Sequence, residues 1–130
     1  MAHGNNTTSV LVIGDDLDTA SFLESSLSTI GFEVTMVQGS MQALEQLRAK
    51  EFNVILCEFS MPKMGGEEFY AKMEREVPWA LPNLCFLSSD ANSSGMQAFL
   101  ARNNMRYLEK PFTFDQLAGV VNEILSAQPS

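Results

Sequence analysis

Three acids, one hydroxyl and one amine occupy comparable places in this 130-residue sequence, each just beyond a short apolar run. Asp15 and Asp16 follow Val10-Leu11-Val12-Ile13 across Gly14. Glu58 follows Val54-Ile55-Leu56-Cys57, Ser88 and Ser89 follow Leu84-Cys85-Phe86-Leu87, and Lys110 comes soon after Tyr107-Leu108. If those runs end at one place, the carboxylates bring −3 and Lys110 brings +1, a sum of −2. Crowded like charges resist joint ionisation unless something compensates them. A hard divalent cation does so through oxygen ligands, and Mg²⁺ commonly takes one or two carboxylates plus water. An ammonium suits a phosphoryl oxygen or a carboxylate, and a serine hydroxyl donates to an anionic oxygen. The set reads as phosphate chemistry helped by a metal, or as its remnant. Taken singly, each residue has a plainer role: Asp16 as a helix cap, Lys110 as a surface amine. Glu58 is harder to dismiss, because it ends the most apolar run in the chain.

The runs themselves read as strands. The all-apolar ones at 10–13, 54–57 and 84–87 suit strands buried on both faces. Phe32, Val34 and Met36 alternate with Glu33 and Thr35, which suits a half-exposed strand nearer an edge. Tyr107 and Leu108 make a very short fifth strand. Between the strands lie helical stripes. Phe22, Leu23, Leu27 and Ile30 form one, opened by Asp18 and stopped by Gly31. Met41, Leu44 and Leu47 follow a cap at Ser40. Phe69, Tyr70 and Met73 follow Glu67 and Glu68, acids suited to a first helical turn. Met96, Phe99 and Leu100 mark a weaker helix over 93–102. Thr113 and Gln116 form a capping-box signature before Leu117, Val120, Val121, Ile124 and Leu125. Residues 78–83, with Trp79 between Pro78 and Pro82, read as a connection. Strand and helix alternate throughout, which implies parallel pairing. The fold class is therefore α/β: a doubly wound five-stranded parallel sheet, order 2-1-3-4-5, with helices on both faces. In such sheets the ligand site lies beyond the carboxyl ends of the central strands, so Asp15, Asp16, Glu58, Ser88, Ser89 and Lys110 converge.

Length and composition fit one domain, expected over 9–126, with a disordered segment at 1–8 and a polar tail at 127–130. A formal charge of −8 argues against direct binding of nucleic acid or of an anionic membrane surface. No apolar run approaches a membrane span. His3, the sole histidine, lies in the polar start and offers no general base. Cys57 and Cys85 read as buried free thiols.

The chain resembles the receiver domain of two-component response regulators. The resemblance rests on Asp15-Asp16, on Met61-Pro62-Lys63-Met64-Gly65-Gly66, on Leu87-Ser88-Ser89 and on Tyr107-Leu108-Glu109-Lys110-Pro111-Phe112, in that order and spacing. It implies a flavodoxin-like fold and a non-enzymatic cytoplasmic signalling module. In that family a histidine kinase donates a phosphoryl group to an Asp ending strand three. The resemblance puts Asp15 and Asp16 in the metal-binding role, together with the acceptor position and the carbonyl of Ser60. It puts Ser88 and Lys110 on the phosphoryl oxygens and Tyr107 in the role of the aromatic switch. It implies that the Lys110–Pro111 bond is often cis. Partners would be a histidine kinase or a downstream effector, met through the face of helix 4, strand 5 and helix 5, with a homodimer as a further possibility.

One departure bears on function. The acceptor position, four residues before Pro62, is Glu58. Its extra methylene carries the carboxylate roughly 1 Å further into the pocket, and misplacement of that size can cost about 10²-fold in rate. The leading expectation is a degenerate receiver, a phosphorylation-independent protein-interaction module in which Glu58 partly imitates phospho-Asp. The alternative is a working receiver that accepts a phosphoryl group at Glu58 with Mg²⁺. If Glu58 favours the active state, Tyr107 should turn inward and Ser88 lean towards Glu58. If Glu58 pairs with Lys110, the Mg²⁺ site is weakened by loss of a ligand. A flavin- or nucleotide-binding enzyme on the same architecture is disfavoured, because Gly14-Asp15-Asp16-Leu17 offers two negative charges where a phosphate loop needs none.

Overall fold

The apolar runs pair as the patterning requires. In the computed structural model, which describes residues 7–89 and 94–128, the chain runs β1 (Ser9–Ile13), α1 (Leu17–Thr29), β2 (Glu33–Val37), α2 (Ser40–Ala49), β3 (Val54–Glu58), α3 (Gly66–Glu76), β4 (Leu84–Ser88), α4 (Ser94–Arg102), β5 (Arg106–Glu109) and α5 (Phe114–Ser126). The strands form one sheet, all neighbours parallel, in the order β2-β1-β3-β4-β5. Every residue of β3 and β4 is buried, whereas β2 is half-exposed along its length.

Period-two alternation splits the core into two layers. Leu11, Ile13, Ile55, Cys57, Leu84 and Phe86 face α2, α3 and α4. Val10, Val12, Val54, Leu56, Cys85 and Leu87 face α1 and α5. Cys57 and Cys85, on adjacent strands, therefore lie in different layers, and both thiols are free and buried. Burial pushes the Cys85 thiol up to about 12 and lifts Cys57 well above its ordinary value, so neither supplies a thiolate.

Several local expectations are corrected. Helix α1 begins at Leu17 with Asp16, not Asp18, as its cap: the Asp16 carboxylate accepts from the Thr19 amide. Ser40 is the first residue of α2 and not its cap. Gln42 reaches back to accept from the Gly39 and Gln38 amides, which frees the Ser40 hydroxyl to donate to the Met64 carbonyl across a buried contact of 2.9 Å. The connection over 78–83 is a short 3₁₀ helix started by Pro78, a residue whose fixed φ suits a first helical position. Met36, Phe22 and Ile30 lie exposed although their stripes pointed them inward, since an edge strand and the outer flank of a helix are covered on one side only. Ser93, the expected start of helix 4, lies outside the described residues, as does most of the segment expected to be disordered. Thr8, within that segment, already accepts from the Glu33 amide at 2.8 Å, and in the polar tail Gln128 donates to the Asn53 carbonyl at 2.6 Å.

Candidate functional site

Register brings the strand ends together. Ile13 lies opposite Cys57, Glu58 opposite Leu87, and Ser88 opposite Glu109. Past these pairs the Gly14 amide donates to Val37, the Phe59 amide to Leu87 and the Lys110 amide to Ser88, so the turns leave the sheet at one level. The peptide bond between Lys110 and Pro111 is cis.

Glu58 is 8% exposed at the end of the wholly buried β3. Its carboxylate meets the Lys110 ammonium, with Nζ 2.6 Å from Oε2. The same ammonium donates to Asp16 Oδ2 at 2.8 Å. Asp16 Oδ2 also accepts from the Thr19 hydroxyl at 2.8 Å, and Oδ1 accepts from the Thr19 amide at 3.3 Å. The result is a three-residue charge bridge, Glu58–Lys110–Asp16, joining the end of β3, the turn after β5 and the cap of α1. It spans 94 residues of sequence between Lys110 and Asp16.

The electrostatics follow from this placement. Burial pushes the Glu58 carboxyl above its ordinary value despite the Lys110 hydrogen bond, and the neighbouring charges of Asp16 and Asp15 add to the rise. Asp16 is held far below the usual carboxylate range, first by Lys110 and then by Thr19. Burial works against the Lys110 charge, but its hydrogen bonds to Asp16 and Glu58 prevail and raise it. Ser88 is buried at the end of β4, and Asp15 and Ser60 are exposed on the loops after β1 and β3. Tyr107 is 38% exposed on edge strand β5, so the inward turn expected of an active-state receiver is not present.

Two of the four residues assigned to a metal, Asp16 and Glu58, are arranged around a lysine. Among the described residues, no group of three His, Cys, Asp or Glu side chains stands ready to hold a cation. Both oxygens of Asp16 are engaged by Thr19, and one of them also by Lys110. In this arrangement the Lys110 ammonium takes one oxygen each from Asp16 and Glu58.

A family model described as the response regulator receiver domain matches residues 10–122. The chain belongs to that family. Among curated proteins, it is 30% identical over 117 residues to the transcriptional regulatory protein ZraR of Klebsiella oxytoca, covering 90% of this chain and 26% of ZraR. It is 31% identical over 108 residues to the autoinducer 2 sensor kinase/phosphatase LuxQ of Vibrio vulnificus, covering 83% of this chain and 12% of LuxQ. The chain thus spans about a quarter or less of these relatives. Among solved structures, the receiver domain of an HD domain-containing protein from Pseudomonas fluorescens Pf-5 superposes with a TM-score of 0.82 at 19% identity, covering 97% of this chain and 92% of that one. The receiver domain of a sensor histidine kinase from Pseudomonas aeruginosa PAO1, solved with a magnesium ion in its active site cleft, gives 0.82 at 20% identity, covering 93% and 99%. Receiver domains serve two-component signalling, typically bind Mg²⁺, and interact with histidine kinases and effectors.

Sequence reasoning named Asp16, Glu58 and Lys110, and the structure joins them. It missed Gly14. An added Cβ there would overlap Glu58 Cγ outright and crowd Glu58 Cβ at 3.1 Å. A glycine directly before the paired acids was the available signal.

Proposed function

We propose that this receiver is degenerate: a protein-interaction module that works without phosphorylation. The observation that carries the reading is the 2.6 Å pair between Glu58 and Lys110. The acceptor seat holds a carboxylate already bound to the ammonium that a phosphoryl oxygen would need. Glu58 partly imitates phospho-Asp, bringing one unit of charge and two acceptor oxygens where a phosphoryl group brings about −1.5 to −2 and three. The imitation is local: it engages Lys110 but does not draw Tyr107 inward. A ligand shifts a two-state element only by its differential stabilisation of the two states, and the weaker charge leaves Tyr107 outside. Mg²⁺ binding is weakened, because Lys110 takes up the oxygens that a cation would need. The partner, a kinase or an effector, docks on the face of α4, β5 and α5, where Tyr107 and Phe114 are exposed.

Acetyl phosphate with Mg²⁺ tests this reading. Intact-mass spectrometry at short times is expected to show no labile phosphoryl adduct. An adduct mapped to Glu58 would establish instead the working receiver with an unusual acceptor. Glu58→Asp is expected to create labelling, whereas in a working receiver it would only change an existing rate.

A further inference from the structure

We infer that Gly14 is the positioning residue that allows Glu58 to reach Lys110, so that the glycine and the glutamate together make the filled seat. The inference rests on the reading of Glu58 as a standing occupant of the acceptor position, and assigns that occupancy to a second residue.

Strand alternation brings Gly14 and Glu58 to one side of the sheet. Val10 and Val12 on β1 face the same layer as Val54 and Leu56 on β3. Continuing the period of two puts positions 14 and 58 on that side as well. The register of Ile13 opposite Cys57 makes them neighbours across the strand pair. Side chains so placed normally stand close enough to compete for space. Here one of them is missing, and the Glu58 stem lies across the vacated place. Of the Glu58 atoms that a Cβ on Gly14 would meet, Cγ is overlapped, Cβ is at 3.1 Å and the carboxyl carbon is at 3.5 Å. The stem atom next to the backbone cannot yield as the tip of a long side chain does. An added methyl therefore requires Glu58 to turn about its Cα–Cβ bond, and that rotation lifts the carboxylate off Lys110.

Gly14 has a second reason to be glycine. Its φ is +151°, a region that residues with a Cβ rarely adopt. Backbone strain and side-chain overlap both penalise a Gly14→Ala change, and only the overlap involves Glu58. A double-mutant cycle separates them. Gly14→Ala, Glu58→Ala and the double variant are compared by thermal melting, and the Lys110 side-chain ammonium is followed by nitrogen NMR. Gly14→Ala is expected to lower the melting temperature by several degrees in the native background and by distinctly less when Glu58 is already alanine. It is also expected to shift the Lys110 resonance in the same direction as Glu58→Ala does. Should Gly14→Ala alone fail to fold while the double variant folds, the overlap is again the cause. Equal losses in both backgrounds, failure of both variants to fold, or an unmoved Lys110 resonance would overturn the proposal and leave backbone strain as the whole role of Gly14. The cycle uses no phosphoryl donor. A Glu58 adduct with acetyl phosphate therefore counts against the proposed function, whereas an additive cycle counts against the role of Gly14.

Discussion

At one end of the sheet Lys110 lies between the carboxylates of Glu58 and Asp16. At the other end Asn53 lies between neutral groups. Its side-chain oxygen accepts from the Ser9 amide at 2.9 Å, its amide nitrogen donates to Gln128 at 3.3 Å, and Gln128 donates in turn to the Asn53 carbonyl and to Asn83. Both ends tie turns together with side-chain hydrogen bonds. The neutral end joins amides that each donate and accept, so it needs no outside charge. The carboxyl end gathers three acids against one amine, and its balance depends on protonation and on what else binds. A site for switching belongs where the balance can be tipped, and the Glu58–Lys110–Asp16 bridge is such a place.

The largest expected effect tests whether Lys110 holds that balance. Lys110→Met leaves Glu58 nearly buried and uncompensated. A fully buried pair that loses one partner costs about 3–5 kcal/mol; the half-open site here should lose about 2–4 kcal/mol at neutral pH by urea denaturation. The cost should shrink on acidification. Glu58 has its folded pKa above the ordinary 4.5, so the folded chain holds that proton to higher pH than the unfolded chain does. Protonation at low pH removes the stranded charge. A pH-independent loss would show that Lys110 acts through packing.

Asn53→Ala probes the opposite end. Leaving the Ser9 amide without its acceptor should cost about 1–3 kcal/mol. The loss should be equal at neutral pH and at pH near the carboxylate range, since no group in the network ionises. A strongly pH-dependent loss would erase the contrast between the two ends.

The smallest effect sharpens the charged end. Asp16→Asn keeps a capping side chain on α1 but removes the charge that faces Lys110. Because Asp16 is partly exposed, the change should cost under about 1 kcal/mol at neutral pH and low salt. Its folded pKa lies below the ordinary 3.8, so its contribution is complete above that pH and fades as pH falls below it, where the unfolded chain takes up the proton first. Wild type and variant should therefore converge in acid. A gap that persists there would assign the loss to the cap.

Much of this was open to reading in the residues. All-apolar runs marked β1, β3 and β4 because a strand covered on both faces tolerates little polarity, and those strands are the buried ones. Edge behaviour was harder: Met36 belonged to an inward stripe by period but lies exposed, since β2 has a neighbour on one side only. Ser40 looked like a cap because serine often is one, yet a carbonyl 24 residues away offered its hydroxyl a buried partner. The Asn53–Gln128 network left no local trace, because its members are 75 residues apart.

By itself the sequence determined the strand order, and with it which side chains end at the carboxyl edge, because period and connection length are properties of neighbouring residues. It also put an acid one methylene longer than usual at the end of β3. Only the tertiary structure decided what that acid touches. How Asp16 and Glu58 share the Lys110 ammonium is a matter of ångströms between groups far apart in the chain, and so is the room that Gly14 leaves for the Glu58 stem.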